Sequence, residues 1–194
     1  MASVESTQLA QDTELAKHAL DKVVEDLAML LDRPLVVERV DVARSANKVA
    51  GERQVHIAFK LGVTIDGVPQ HGALLVPLAE AITFACYLMM MTDEVVTTRR
   101  MDKSLERGTK DAMVEVGNLI GGSIDGAFRD LYPKRTTIRS EGCQGVKPAA
   151  APAFERTPGV DLIVARAKLK LHTFPAYEAL LMLPVIPSTP PPAA

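Results

Sequence analysis

The chain has 194 residues, of which 47% are hydrophobic and 24% are charged, and its formal net charge is -2. This length and composition are typical of one globular domain and do not fit a wholly disordered chain. Because the net charge is small and the basic residues form no long block, we expect neither nucleic acid nor a membrane surface as a partner. The polar start of the chain does not resemble a signal peptide, so we expect a cytoplasmic protein.

Apolar periodicity predicts the elements of the first half, which are a helix from Asp12 or Thr13 to Arg33, a strand at 35–42 and a hairpin of strands at 55–65 and 73–78. Residues 1–11 are expected to fray before the helix begins. The hairpin prediction depends on Asp66-Gly67, because this dipeptide favours the two-residue turns that join antiparallel strands.

The second half is predicted to contain a helix at 79–91, a polar segment at 92–109 made of a loop and the solvated first turns of the next helix, the remainder of that helix at 110–131, a strand at 135–140, a Pro/Ala-rich loop at 147–152 and strands at 160–174 and 177–186. Within the first of these, Met89-Met90-Met91 is expected to fill the core at a helix end. Strands in runs, without a βαβ alternation, indicate an α+β fold with a mainly antiparallel sheet and long helices on one face. We expect one domain at 12–186 and a Pro-rich tail at 187–194.

The helix at 110–131 carries an unusual polar stripe, whose members follow one another by three or four residues: Asp111, Glu115, Asn118, Gly122, Asp125 and Arg129. A second, apolar stripe lies on the opposite side and is expected to face the core. Asn and Gly are poor helix formers, and each Gly costs roughly 0.5–1 kcal/mol relative to Ala. Something other than helix stability therefore favours them.

Two interpretations of the stripe are open. In the first, the glycines let the helix approach a neighbouring element closely, and Glu115 and Asn118 are ordinary surface residues. In the second, the absence of a side chain at Gly122 lets another macromolecule approach the helix, and the side chains of Glu115 and Asn118 reach into that macromolecule. A carboxylate accepts hydrogen bonds from Lys or Arg, and an amide can orient a water molecule. The pair then suits hydrolysis of a phosphoryl group that a partner presents.

The spacing of Asp111, Glu115, Asn118 and Gly122 resembles the signature helix of the CheC/CheX/FliY family of chemotaxis phosphatases, which act on CheY-type response regulators. The order of elements around this helix is similar to CheX in particular. The single copy of the motif also favours CheX, because a resemblance to CheC or FliY would imply two copies. One departure is Ser140, which stands where the family pattern has a Pro. Histidines and cysteines show no metal-site spacing.

The resemblance implies a CheX/CheC-like fold and hydrolysis of the aspartyl phosphate of a phosphorylated regulator. Asn118 would orient water and Glu115 would pair with the regulator's Lys, while Asp111, Gly122 and Asp125 would contact the partner. The regulator would supply Mg²⁺, so the chain would need no cofactor of its own. A homodimer formed through the strands at 160–186 is also implied.

The alternatives are a non-catalytic module that binds a regulator or acts in the flagellar switch, and a structural dimerisation domain. The switch protein FliM has a related fold without the catalytic pair. The presence of both Glu115 and Asn118 favours the enzyme, and a dimerisation domain leaves the polar stripe unexplained.

Overall fold

The computed structural model describes residues 2–133 and 135–187, with side chains described from residue 7 onward. The elements are α1 (Ala2–Leu31), β1 (Leu35–Ser45), β2 (His56–Ile65), β3 (Val68–Pro77), α2 (Leu78–Leu88), α3 (Asp93–Arg99), α4 (Arg107–Leu131), β4 (Thr136–Val146), β5 (Leu162–Leu171) and β6 (Tyr177–Pro184). The predicted tail lies outside the described residues except for Pro187. Across the described ranges, no helix is both long and apolar enough to span a membrane.

The strands form one sheet in the order β1-β5-β6-β3-β2-β4, and every neighbouring pair is antiparallel. The main core lies between one face of this sheet and the helices, and it includes Phe59 of β2 and Phe128 of α4. A smaller apolar cluster on the other face is covered by the connection before β5, which contributes Phe154. The predicted α+β fold with an antiparallel sheet and helices on one face is confirmed.

Helix α1 begins at Ala2, so the expectation of a frayed start before residue 12 is wrong for the described residues. The two predicted capping residues have other roles. Asp12 is buried and binds Arg44 of β1, with 2.5 Å between its Oδ2 and the Arg44 Nε. The Thr13 hydroxyl donates to the Leu9 carbonyl at 2.7 Å, which places Thr13 inside a helix.

Helix α3 occupies part of the segment predicted as a loop. Among its seven residues only Val96 is buried, so the sequence offers no apolar period that would indicate a helix. The residue after the helix, Arg100, fixes it to α2. The Arg100 guanidinium donates two hydrogen bonds to the Glu80 carboxylate, at 2.7 and 2.5 Å, and a third to the Thr83 hydroxyl.

The Asp66-Gly67 hairpin is confirmed, and its returning strand β3 begins at Val68, five residues earlier than predicted. Strand β4 also exceeds its prediction, since it continues from Ser140 to Val146. A bulge against β2 makes this possible, and Gly142 within it has a φ of 82° that favours glycine.

Strands β5 and β6 lie inside the sheet, because β5 pairs with β1 and β6 while β6 pairs with β5 and β3. The strands at 160–186, through which the family resemblance implies a homodimer, therefore do not lie at an edge of the sheet. The edges of the sheet are β1 and β4. The homodimer itself stays a prediction.

Candidate functional site

Helix α4 lies against the β4 end of the sheet and packs between that strand and the neighbouring helices α1 and α2. Its apolar face is directed at the core, as expected, and Met113, Ile120, Ile124 and Phe128 on this face are fully buried. Burial of four large side chains along the helix fixes its position and rotation. The remaining face forms an exposed ridge between α1 and the edge of the sheet.

Asp111, Glu115, Asn118 and Gly122 are exposed on this ridge. Within the described parts of the chain, neither Glu115 nor Asn118 makes a side-chain hydrogen bond or an ion pair. Because they are three residues apart on a helix, their side chains are neighbours on one surface. The carboxylate and the amide are therefore both free to contact a second molecule.

Two glycines of α4 lie where close packing on the sheet leaves little or no room for a side chain. A Cβ atom on Gly121 would lie 2.8 Å from the Ser140 amide nitrogen of β4. A Cβ atom on Gly117 would lie 3.2 Å from the Phe59 ring and 3.3 Å from the Ser140 Oγ. The interpretation that glycines permit a close approach is thus confirmed for these two positions. Sequence reasoning identified Ser140 as a departure from the family pattern but did not foresee that it lies under the helix.

Gly122 differs from its neighbour Gly121, because nothing lies within 4 Å of a Cβ atom built on it. No packing contact therefore requires a glycine here, although glycine lowers helix stability. Gly122 carries no side chain and lies one turn after Asn118, so the helix surface at this point leaves room for a partner's surface. This observation supports the second interpretation at Gly122.

Asp125 does not lie on the exposed ridge, so that part of the stripe prediction is wrong. The residue is 8% exposed. Its Oδ1 accepts a hydrogen bond from the Ile138 amide of β4 at 2.7 Å, and its Oδ2 pairs with Arg129 at 2.5 Å. Because β4 is an edge strand, the Ile138 amide has an acceptor only through this side chain or solvent. Asp125 therefore anchors α4 to the sheet.

Helix α1 borders the ridge on the other side and runs antiparallel to α4. The Asp130 carboxylate accepts from His18 at 2.9 Å and pairs with Lys22 at 3.3 Å, and these contacts hold the Asp130 pKa below its usual value. About two turns away along α4, the Ser123 hydroxyl donates to Asp26 at 2.5 Å. These contacts fix the register of α1 along α4.

No group of three or more His, Cys, Asp or Glu side chains is placed to hold a metal ion in the ranges 2–133 and 135–187. On the exposed ridge, Glu115 can form ion pairs and accept hydrogen bonds, and Asn118 can donate and accept hydrogen bonds.

No protein-family model matches the chain, and no curated protein matches it. Solved structures do. FliY from Thermotoga maritima is 16% identical, with 92% of this chain and 90% of that chain covered and a TM-score of 0.68. The chemotaxis protein CheX from Desulfovibrio desulfuricans is 16% identical, with 87% and 97% covered and a TM-score of 0.55. The FliM middle domain from H. pylori is 6% identical, with 91% and 90% covered and a TM-score of 0.61.

These similarities extend over nearly the whole length of both chains in each comparison, so they concern the complete arrangement of sheet and helices. The CheX/CheC-like architecture that the signature helix implied is confirmed. The chain has the fold of the CheC, CheX and FliY proteins, which the FliM middle domain shares.

Proposed function

We propose that the chain is a protein phosphatase that hydrolyses the aspartyl phosphate of a CheY-type response regulator. The observation that carries the proposal is the exposed, unpartnered pair of Glu115 and Asn118 beside the open position at Gly122. The pair has the spacing of the phosphatase signature helix, and it lies on the helix of a fold shared with a chemotaxis protein, CheX.

Asn118 is the catalytic residue of the proposal. Its amide donates and accepts hydrogen bonds, so it can hold a water molecule in line with the phosphorus atom while the regulator keeps the phosphoryl group in place. Orienting the attacking water converts an encounter with bulk solvent into a reaction within one complex. The aspartyl group of the regulator then leaves as a carboxylate, and phosphate is released.

Glu115 binds the partner. A carboxylate without an ion pair of its own can accept a charge-assisted hydrogen bond from the regulator's active-site Lys. Because Glu115 lies one helical turn before Asn118, this contact sets the depth and direction in which the amide enters the regulator. Asp111 and Gly122 extend the contact surface along the same ridge.

Positioning of this kind needs a rigid support, since a displacement of about 1 Å can cost two orders of magnitude in rate. Two contacts supply that support. Gly121 lets α4 lie directly on Ser140, and Asp125 binds the Ile138 amide. Both hold the helix to β4 within two turns of Asn118.

The regulator would bring its own Mg²⁺, which neutralises charge on the phosphoryl group, and this chain would add no cofactor. The proposal places the reaction in the cytoplasm and in chemotaxis or a related two-component system. It makes the chain a positioning partner for a site that the regulator already contains.

A second candidate is a non-catalytic module that binds a regulator or acts in the flagellar switch. The likeness to the FliM middle domain favours it, because that fold also occurs in a FliG–FliM complex. The same ridge would then be a docking surface only. Glu115 and Asn118 favour the phosphatase, since a docking surface has no need of that pair.

The experiment that separates the two candidates is phosphate release from purified, phosphorylated single-domain regulators of the source organism, with and without this chain. Accelerated release from at least one regulator is expected. Binding of a phosphorylated regulator without acceleration would support the non-catalytic module and contradict the phosphatase.

A further inference from the structure

The C-terminal ends of α1 and α2 meet at one corner of the helix layer, where they border a groove of about 430 Å³ that Leu30, Tyr87 and Met90 help to line. Three large apolar side chains are exposed at this corner: Met29 at 73%, Leu30 at 41% and Met90 at 90%. We call Met29, Leu30 and Met90 the methionine shoulder. Single exposed apolar residues are common, but several together mark interaction surfaces.

Met90 has no structural reason to be a methionine. The Met91 amide donates to the Cys86 carbonyl at 3.0 Å and the Met90 amide donates to Tyr87 at 2.8 Å, which is the Schellman pattern that ends a helix. Met90 occupies the left-handed position of this motif with a φ of 57°, where glycine is preferred. Since its side chain is almost fully exposed, burial does not compensate. The prediction that Met90 fills the core is wrong.

The shoulder adjoins the exposed ridge of α4. The Asp26–Ser123 and His18–Asp130 contacts show that α1 and α4 run antiparallel with a constant register. One turn beyond Asp26, this antiparallel register places Met29 at the level of Leu119 along α4. Met29 of the shoulder is therefore at the same level of the helix layer as the turn of α4 that carries Glu115 and Asn118.

The charges around the shoulder are mainly acidic. Asp32 is fully exposed at the end of α1, where its carboxylate lies 3.9 Å from Arg33, and Glu25 is exposed one turn before Met29. The carboxyl ends of two helices add partial negative charge at the same corner. The nearby Arg33 is already engaged, because it pairs with Asp93 at 3.1 Å. The corner thus complements a basic surface that contains an apolar contact.

We propose that the methionine shoulder docks the same response regulator on which Glu115 and Asn118 act, and that it takes an apolar side chain flanked by Lys or Arg on the regulator's surface. This inference rests on the proposed function. Continuity with the ridge and the complementary charge favour the regulator over an unrelated partner. Flexible methionines also suit a surface that must adapt to a partner.

The test measures binding of beryllofluoride-activated single-domain regulators of the source organism and phosphate release from the phosphorylated forms. Met29→Glu should raise both Kd and KM by about tenfold or more while kcat at saturation stays within about twofold. Met90→Gly should raise the melting temperature, because it relieves the left-handed backbone, and yet weaken binding. Val68→Glu is the matched control, since Val68 is similarly exposed but lies in the hairpin at the opposite end of the sheet.

Unchanged binding of the regulator by both Met29→Glu and Met90→Gly would overturn the proposal that the shoulder is a docking surface. The absence of binding to any regulator would overturn it too. A changed oligomeric state in Met29→Glu, measured by light scattering, would assign the corner to a second copy of the chain and overturn it as well. Shoulder-dependent binding without any phosphate release would contradict the proposed phosphatase while supporting the docking surface. Failure of the two proposals is therefore distinguishable.

Discussion

Gly121 of α4 lies so close to Ser140 of β4 that a Cβ atom on the glycine would be 2.8 Å from the serine amide nitrogen. Backbone meets backbone at this point, so neither side can yield by a change of rotamer. The adjacent Gly122 faces open space. Two neighbouring glycines on one helix thus have opposite roles, one in packing and one at the exposed ridge.

This contrast gives a matched pair of variants. Gly121→Ala should lower the free energy of unfolding by about 1–3 kcal/mol, because α4 or β4 must move to admit the methyl group. Gly122→Ala should raise it by roughly 0.5–1 kcal/mol, because alanine is the better helix former and meets nothing. Urea denaturation of both variants checks the prediction. Equal stability of the two would show that α4 does not lie on Ser140 as described.

Asp125 should act through stability and not through partner contact. Asp125→Ala leaves the Ile138 amide without its acceptor and should cost about 1–3 kcal/mol of unfolding free energy. Asp125→Asn keeps an acceptor oxygen and should cost less. Chemical denaturation measures both losses. If Asp125→Ala is as stable as the unsubstituted chain but binds a phosphorylated regulator much more weakly, the anchoring role is wrong.

The Asp66–Arg135 pair should make stability depend on pH. Arg135 donates to both Asp66 oxygens, at 3.0 and 2.7 Å, and these hydrogen bonds hold the Asp66 pKa below its ordinary 3.8 despite partial burial. A carboxyl whose pKa is lower in the folded state adds stability above its unfolded pKa and loses it as the pH falls through the folded pKa.

The variant that tests this is Asp66→Asn, since asparagine tolerates the left-handed φ of 49° at this position. It should melt at a lower temperature than the unsubstituted chain at pH 7. The difference between the two melting temperatures should shrink below about pH 4 and vanish under more acidic conditions. A difference that is constant from pH 7 to acidic pH would contradict the described ion pair.

Much of the fold follows from periodicity in the sequence. Alternating apolar residues predict β2, Asp66-Gly67 predicts the hairpin, and the apolar stripe of α4 predicts its buried face. Helix α3 escaped prediction because its contacts with the rest of the domain, such as Arg100 with Glu80 and Asp93 with Arg33, join residues far apart in the chain. Such contacts leave no local pattern.

The residues of the candidate site were also predicted only in part. Helical spacing places Glu115 and Asn118 side by side on an exposed face, and the structure agrees. Helical spacing cannot show which part of a helix face a neighbouring strand covers. Asp125 was therefore predicted to be exposed on the ridge, although it is buried against β4. The exposure of Met90 depends on how α2 terminates, which apolar composition does not reveal.

The proposed catalytic role of Asn118 is the central claim, and Asn118→Ala tests it most directly. Single-turnover phosphate release from a phosphorylated regulator should fall by the order of 10²-fold or more, while the Kd for the beryllofluoride-activated regulator stays within about threefold. Glu115→Ala is the companion variant and should weaken both binding and release, because it removes the contact with the regulator's Lys. Full phosphatase activity in Asn118→Ala would contradict the account.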